Sequence, residues 1–496
     1  MTAETKFVST YKAYIVFTIQ VLITFGIGSL PPFAQITPTG MQILGIFLGC
    51  IFCWLFGYLG WSSIFGVLVL ALWVPGQSLS GAITASFGNA TLWMVVFTLV
   101  FSYALLKCGM LTFLANLILS RKFVTKSPLT LAIAFWIAAI FCTAFTNQLA
   151  STVLVYSIFY EVAKKLGIQP RSSYTGSMLV LLATYGALAV ALFPFSSGIW
   201  LPVSIAQAAA PAGVDMSFNI FYLSAANCIL MAIALIIGIL VYKVMLDRNI
   251  VKVEFSMDSL DNVVNPEDLK ITRELIAGFI AIGIFLVVML GPIISPDSVI
   301  GNFLSKLGVT GAFMFACFFM AFFPKSDGSG TMIFNFEEGF PKGIQWGLFF
   351  MMMNAYNMAG LVASTDSGIM ASIVGAVENI IPTYSEFLTI AMFCLVILIV
   401  TNCITNFIAM QLIIPIFVTI LVGMGCRPMV YIGLLAVLVE HGNIMPSGSP
   451  VGALMHGNSA WLKSKQVYGY AALGSVFGLI GALCSIPILQ LFYHLF

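Results

Sequence analysis

Two Thr-Asn pairs lie inside long apolar stretches of the chain, where polar side chains are costly. Thr146-Asn147 stands within residues 128–166, and Thr405-Asn406 stands within residues 386–424. An asparagine offers an amide oxygen to a cation and an amide donor to a carboxylate. A threonine hydroxyl can cap the half-helix that follows it. The two pairs therefore predict either helix caps and contacts between spans or a site for a small ion, and their recurrence in both halves favours the site.

An interruption rich in proline, serine and glycine follows each Thr-Asn pair. Residues 193–198 read FPFSSG, and residues 445–450 read MPSGSP. Serine and glycine let the backbone approach a ligand closely, and a helix that restarts after such a break points free N–H groups and partial positive charge at an anion. Freed carbonyl and hydroxyl oxygens can also coordinate a sodium ion. The breaks therefore predict further ligands of the same site.

One ionisable pair, Glu440-His441, precedes the second break. It lies inside the predicted span 427–462, roughly 20 Å deep at a helical rise of about 1.5 Å per residue. An intramembrane carboxylate is costly and by default indicates function. One hypothesis is that Glu440 or His441 binds a proton or a cationic part of the substrate, and so sets selectivity. The other is a buried pair that holds the span through contacts with each other or with Asn443.

Composition makes the lipid bilayer the solvent of this chain. Of its 496 residues, 60% are hydrophobic and 8% are charged, whereas a soluble domain carries about 25% charged residues. A net charge of +2 without a basic cluster argues against nucleic acid as a partner. The ten cysteines lie mostly in apolar segments and indicate neither a disulfide framework nor a zinc site.

The apolar segments predict an all-α membrane protein with about eleven transmembrane helices in two repeats. Each repeat is expected to hold a re-entrant helical hairpin with Thr-Asn at its tip, because 128–166 and 386–424 are too long for one helix. Each also holds a broken helix, because non-helical backbone at membrane depth must line a cavity or be buried in protein. The predicted domains are an N-terminal helix, a first repeat, a cytoplasmic linker and a second repeat: 1–40, 41–245, 246–271 and 272–496.

Basic residues predict the orientation, because cytoplasmic loops collect them. Six flank the first hairpin: Arg121, Lys122, Lys126, Lys164, Lys165 and Arg171. Between residues 343 and 462, around the second hairpin, Arg427 is the only basic residue. The first hairpin is therefore expected to enter from the cytoplasm and the second from outside, which makes the repeat inverted. The N-terminus is then cytoplasmic and the C-terminus outside the cell membrane.

With hairpins and breaks in this order, the sequence resembles the divalent-anion:sodium symporter family, the carriers of citrate, succinate, related dicarboxylates or sulfate. The family's hairpin tips read Ser-Asn-Thr, where this chain has Thr-Asn-Gln and Thr-Asn-Phe. The run MPSGSPVGALMHGN resembles the break in the family's tenth span, with Ser449 and Pro450 at its Thr-Pro positions. Thr401, four residues before Thr405, matches a sodium-site hydroxyl of the family.

That resemblance implies a binding site made from tips and breaks. The substrate-binding residues would be Thr146, Asn147, Gln148, Ser196, Ser197, Thr405, Asn406, Ser449 and Pro450. The sodium-binding residues would be Asn147, Thr401 and Asn406. Family members are homodimers in which a transport domain slides as an elevator against a fixed scaffold, so the same assembly and mechanism are expected here.

The expected function is secondary active transport of a small organic anion, a carboxylate, by sodium symport or by exchange. Sodium is the expected ion, with no organic cofactor. The alternative is a sodium/proton antiporter that uses Glu440 and the hairpin residues Asn147 and Asn406. A membrane-embedded enzyme is not expected, because neither His441 nor the cysteines have an evident catalytic partner set. The absence of a Walker motif argues against a primary pump.

Overall fold

The computed structural model describes residues 3–492 except 89, 212, 258–262, 264–268, 370, 373–374 and 376–384. Within that part, the regular structure is helical apart from an isolated bridge between Pro324 and Met332. The described helices of the first half are α1 Ala3–Gly28, α2 Pro38–Leu55, α3 Leu59–Trp73, α4 Leu79–Phe87, α5 Ala90–Lys107, α6 Met110–Leu119, α7 Pro128–Phe145, α8 Gln148–Leu166, α9 Ser173–Leu188, α10 Ser197–Ala208 and α11 Ile220–Asp247. Much of the predicted linker 246–271 lies outside the described residues.

The second half repeats the order of a hairpin, a broken span and a long last helix. Its described helices are α12 Arg273–Ile294, α13 Val299–Ser305, α14 Gly308–Met320, α15 Phe336–Gly343, α16 Trp346–Ala363, α17 Glu386–Cys403, α18 Asn406–Gly423, α19 Ile432–Val439, α20 Pro450–Gly457 and α21 Ser464–Leu491. A short 3₁₀ turn at Pro428–Val430 precedes α19.

The helices identify a multi-pass membrane protein. Eight described helices are long and apolar enough to cross a membrane, or up to ten if each of two bent pairs forms one span. Three of the eight, α7, α17 and α18, are arms of the predicted hairpins, whereas α9, α10, α19 and α20 are each too short to be counted. The figure of eleven spans takes each broken pair as one crossing, and it stays a prediction.

Each hairpin is an antiparallel helix pair that turns at its Thr-Asn. The arms α7 and α8 bring the rings of Phe135 and Phe159 to 5.6 Å, and these residues are equally far along the chain from Asn147. The arms α17 and α18 bring Phe393 and Phe417 to 5.2 Å, and these are equally far from Thr405. A matched aromatic pair therefore joins the arms of each hairpin below its tip.

Both predicted broken spans are interrupted in their polar stretches. The span 172–213 consists of α9 and α10, and 427–462 consists of the 3₁₀ turn, α19 and α20. The first arms lie at the centre of the protein: every residue of α19 and all but Ser173 of α9 are buried. The long helix α21 packs on both first arms, and the long helix α11 packs on α19.

Three short helices are absent from the prediction, and one predicted span is divided. The segments α4, α13 and α15 have nine, seven and eight residues, too few to show as apolar spans. The predicted span 91–117 is split into α5 and α6 by Gly109, whose φ of 75° is left-handed.

Outside the spans, α15 is tied to α5 through Glu338, and hydrogen bonds from Lys342, Lys107 and Tyr103 lower the pKa of this carboxyl to about 2.

The helices α1 and α2 meet at glycines. A Cβ on Gly45 would lie 2.3 Å from the main-chain oxygen of Thr24 and 2.7 Å from the nitrogen of Gly28. Small residues allow such close backbone approach between membrane helices. Gly45 is therefore required by the distance between the two helix axes.

Gly45→Ala is expected to lower the stability of the purified protein, because the added methyl group meets rigid backbone. Overpacking of this kind costs about 1–3 kcal/mol. The matched control is Gly26→Ala in α1, where a Cβ meets nothing within 4 Å. Thermal unfolding in detergent measures both, and equal midpoints for the two variants would contradict the close approach.

Candidate functional site

The side chain of Asn406 joins the second tip to the second break. Asn406 is the first residue of α18 and is 5% exposed. Its Nδ2 donates a hydrogen bond of 2.7 Å to Oε2 of Glu440, and its main-chain N–H donates to the carbonyl oxygen of Gly448 at 3.2 Å. The amide oxygen is on the other side of the same group, and Oγ1 of Thr401 lies 3.2 Å from it.

Two glycines of the break bring main-chain oxygens against this amide. A Cβ on Gly442 would lie 2.6 Å from Oδ1 of Asn406 and 2.8 Å from the carbonyl oxygens of Thr401 and Gly448. A Cβ on Gly448 would meet the carbonyl oxygens of Gly442 and Thr401. Any larger residue would fill this space. The result is a cradle of oxygens, made of Oδ1 of Asn406, Oγ1 of Thr401 and the carbonyls of Thr401, Gly442 and Gly448.

The oxygens of the cradle have fewer hydrogens than they need to pair with one another, and this indicates the kind of ligand that they suit. The hydroxyl of Thr401 has one hydrogen but lies within hydrogen-bond distance of two acceptors, the carbonyl of Val439 and Oδ1 of Asn406. When it donates to Val439, two oxygens face each other with no hydrogen between them. A cation satisfies such a pair, and freed carbonyls of broken helices are known sodium ligands. The donor set therefore fits a hard cation, whereas the described residues hold no group of three His, Cys, Asp or Glu side chains that suits a metal ion.

Ser449 and Pro450 form the start of α20. Oγ of Ser449 accepts a hydrogen bond of 2.9 Å from the N–H of Gly452 and donates one of 2.7 Å to Oδ1 of Asn443. Pro450 is the first helical residue and is exposed. Ser449 thus sets where α20 begins, beside the oxygen cradle. Thr405, the N-cap residue of α18, has a buried hydroxyl without a hydrogen-bond partner among the described residues.

The first tip uses its polar groups within its own hairpin and towards α9. Oγ1 of Thr146 donates to the carbonyl of Cys142 at 2.7 Å, and Oδ1 of Asn147 caps α8 by accepting from the N–H of Ala150 at 2.9 Å. Gln148 is buried and donates to the carbonyl of Ala183 at 3.4 Å. Asn147 is half-buried and lines an open cleft beside Thr112 of α6. Its amide donor is the group that remains for a ligand.

The first break rests on the first tip. Oγ of Ser196 donates to the carbonyl of Ala144 at 2.7 Å and accepts from the N–H of Phe193 at 3.1 Å. The rings of Phe145 and Phe193 lie 5.5 Å apart. Ser197 is the first residue of α10. The hydroxyl of Ser196 is therefore engaged in the protein, and the N-terminus of α10, where the N–H of Gly198 donates to the carbonyl of Val190 at 3.2 Å, stands near the tip.

The structure separates the side chains of Glu440 and His441. Glu440 is 9% exposed and its carboxylate faces Asn406. His441 is fully buried, and neither ring nitrogen has a hydrogen-bond partner among the described residues. A Cβ on Gly478 of α21 would lie 3.0 Å from Nε2 of His441. The expected contact with Asn443 is present, because the main-chain N–H of Asn443 donates to the carbonyl of His441 at 2.8 Å. The carboxylate of Glu440 accepts a hydrogen bond from the hairpin tip and makes none with His441.

The predicted residues gather into two clusters, one at each hairpin. The second also contains Asn402, Gly442, Asn443 and Gly448, which the sequence analysis does not assign to the site. Asn402 accepts a hydrogen bond of 2.9 Å from the N–H of Ile444 and so fixes the break. The density of Gly and Asn between residues 440 and 450 is the signal that points to Gly442, Asn443 and Gly448.

Comparison with known proteins gives a match in fold. The YdaH transporter of Alcanivorax borkumensis, whose crystal structure is described as revealing an unusual topology, superposes with a TM-score of 0.56. The match covers 92% of this chain and 98% of that one, at 12% sequence identity. No protein-family model and no curated protein matches the chain. This protein therefore shares the fold of a membrane transporter.

Ser449→Ala is expected to destabilise the protein, because it removes the cap of α20 and the partner of Asn443. Loss of an N-cap costs about 0.5–2 kcal/mol. The matched control is Ser78→Ala, which removes a similar cap from α4 far from the break in sequence. If thermal unfolding shows no larger loss for Ser449→Ala than for Ser78→Ala, the second bond of Ser449 contributes nothing.

Proposed function

We propose that this protein is a secondary active transporter of a small organic anion, a carboxylate, coupled to sodium that binds in the oxygen cradle of the second hairpin. The observation that carries the proposal is the contact between Oγ1 of Thr401 and Oδ1 of Asn406, which lie 3.2 Å apart. The hydroxyl of Thr401 has one hydrogen for two acceptors, Oδ1 of Asn406 and the carbonyl of Val439. The transporter fold supports the class of function and agrees with the expectation that the chain is not an enzyme.

Four helices that begin at tips or breaks support the binding of an anion. The helices α8, α10, α18 and α20 start at Gln148, Ser197, Asn406 and Pro450. A helix N-terminus carries partial positive charge, and those of its first N–H groups that have no cap can bind a carboxylate. The donor on Asn147 and the hydroxyls of Thr405 and Ser449 lie at these ends. We infer that the substrate carboxylate binds there, next to the cation.

Reciprocal packing supports two inverted repeats. The helix α10 of the first half packs on α18 of the second hairpin, and α20 of the second half packs on α8 of the first hairpin. Likewise α21 packs on α9, and α11 packs on α19. The second arm of each broken span thus packs on the other half's hairpin, which a two-fold relation between the halves would produce. The distribution of basic residues supports a first hairpin on the cytoplasmic side and a second hairpin outside.

Glu440 positions the sodium ligand in this proposal. An amide has its oxygen and its nitrogen on opposite sides, so a carboxylate that accepts from Nδ2 of Asn406 turns Oδ1 towards the cradle. The negative charge of Glu440 also favours a cation nearby. Hairpins and broken spans then form a transport domain that moves as an elevator against a scaffold containing α2 and α16, in a homodimer such as the resembled family forms.

Thr401→Val is expected to raise the sodium concentration that gives half-maximal uptake by about tenfold or more, the scale on which metal sites respond to lost ligand-sphere contacts. Thr18→Val is the matched control, because the hydroxyl of Thr18 bonds only within its own helix. Uptake into proteoliposomes measures both. Sodium dependence unchanged by Thr401→Val would remove the cradle as the coupling site.

The same proteoliposomes distinguish the alternative function. A sodium/proton antiporter using Glu440 and the hairpin asparagines releases protons when sodium is added without an organic substrate. The proposed symporter requires the anion before sodium moves. Proton release in the absence of any anion would favour the antiporter, for which the contact of Glu440 with Asn406 is the structural basis.

Asn147→Ala and Asn406→Ala are each expected to abolish carboxylate uptake, because each removes an amide from a hairpin tip. A thermal-shift screen of mono-, di- and tricarboxylates, amino acids and sulfate, with and without sodium, first identifies the substrate. A ligand at about 100 times its Kd stabilises by about 2.7 kcal/mol. Normal uptake by either variant, with unfolding like that of wild type, would exclude that tip from the site.

A further inference from the structure

A partly enclosed apolar cavity lies apart from both tip clusters. It has a volume of about 130 Å³ and sits among α2, α10, α16 and α18. Ten of its eleven described lining residues are apolar, among them Leu44, Phe47, Ala355, Met358 and Pro415. An apolar cavity of about 150 Å³ stays dry and binds molecules of the size of benzene. The walls therefore suit a small apolar body.

Gln411 is the one polar side chain among the described lining residues. It lies on α18 and is 5% exposed. No hydrogen bond joins its amide to another described residue. A buried amide without a partner is costly, and buried polar groups in proteins are nearly always hydrogen-bonded. A ligand with one hydroxyl or carbonyl group would satisfy it, whereas a carboxylate would lose its hydration with no cation on the wall.

The cavity separates the second hairpin from the scaffold of the proposed function. Gln411 is five residues beyond Asn406, about 7.5 Å along α18. Across the cavity stand Leu44 and Phe47 of α2 and Ala355 of α16. A molecule lodged there contacts an element that moves and elements that stay fixed.

We propose that this cavity binds a small neutral amphiphile, with an apolar body of about the size of benzene and one hydrogen-bonding group directed at Gln411. Its occupation holds α18 against α2 and α16 and inhibits transport. The binding is independent of the proposed transport function, whereas the inhibition rests on it.

Fluorine NMR of the detergent-solubilised full chain tests the binding, with 4-fluorobenzyl alcohol and 4-fluorotoluene as probes. The alcohol is expected to bind roughly fivefold more tightly, the value of one hydrogen bond. Gln411→Leu should abolish the difference, Ala355→Phe should abolish the binding of both probes, and Gln345→Leu, which changes an exposed glutamine, should alter neither. Binding that persists in Ala355→Phe, or an alcohol preference that persists in Gln411→Leu, would overturn the site.

Uptake in proteoliposomes tests the inhibition. Once a transported carboxylate is known, 4-fluorobenzyl alcohol should inhibit its uptake by the wild type several-fold more strongly than uptake by Gln411→Leu, which controls for effects on the bilayer. Equal inhibition of the two proteins would overturn the inhibitory role. If the probes bind as expected and no carboxylate or sodium flux is found, the proposed function fails while the cavity site stands.

Discussion

A main-chain N–H or C=O group at membrane depth needs a partner in the protein or in a water-filled cavity, and this constraint explains why each hairpin tip lies against a broken span. At the second tip, the N–H of Asn406 bonds to Gly448 and the carbonyl of Val439 accepts from Thr401. At the first, Ser196 bonds to the carbonyl of Ala144. Tips and breaks satisfy each other, and in the proposed function the ligands bind in the space left between them.

The two halves meet this constraint with different chemistry. In the first half, Cys142 stands where the second has Thr401, and its thiol bonds to the carbonyl of Leu111. The oxygen of Asn147 is used to cap α8, whereas that of Asn406 faces the cradle. The first tip therefore presents mainly donors and the second mainly oxygens. In the proposed function, the anion therefore contacts both tips, whereas the cation binds only at the second.

Much of this plan follows from features that a sequence displays directly. Lengths of apolar segments and the order of Thr-Asn and Pro/Ser/Gly predict the elements at 128–166 and 386–424. Short helices such as α4 and α13 are not predicted, because seven to nine residues are too few to be recognised as a transmembrane span. The hydrogen bond between Glu440 and Asn406 is not predicted from the sequence either. It joins residues 34 positions apart in the chain, and it depends on how α19 crosses the hairpin. The role of Gly442 and Gly448, which is to leave room for the surrounding oxygens, is visible only from the positions of those oxygens in the structure.

Glu440 has a consequence for coupling in the proposed function. A carboxylate beside an anion site repels the substrate, by about 4 kcal/mol for unit charges 4 Å apart at an effective dielectric constant of 20. Sodium in the cradle supplies the opposite charge next to both groups. The anion then meets a nearly neutral site when sodium is present and a repulsive one when it is absent. In a carrier with a neutral residue at this position, the affinity for the anion would change less between the sodium-bound and sodium-free states. Glu440 therefore makes anion binding depend on bound sodium.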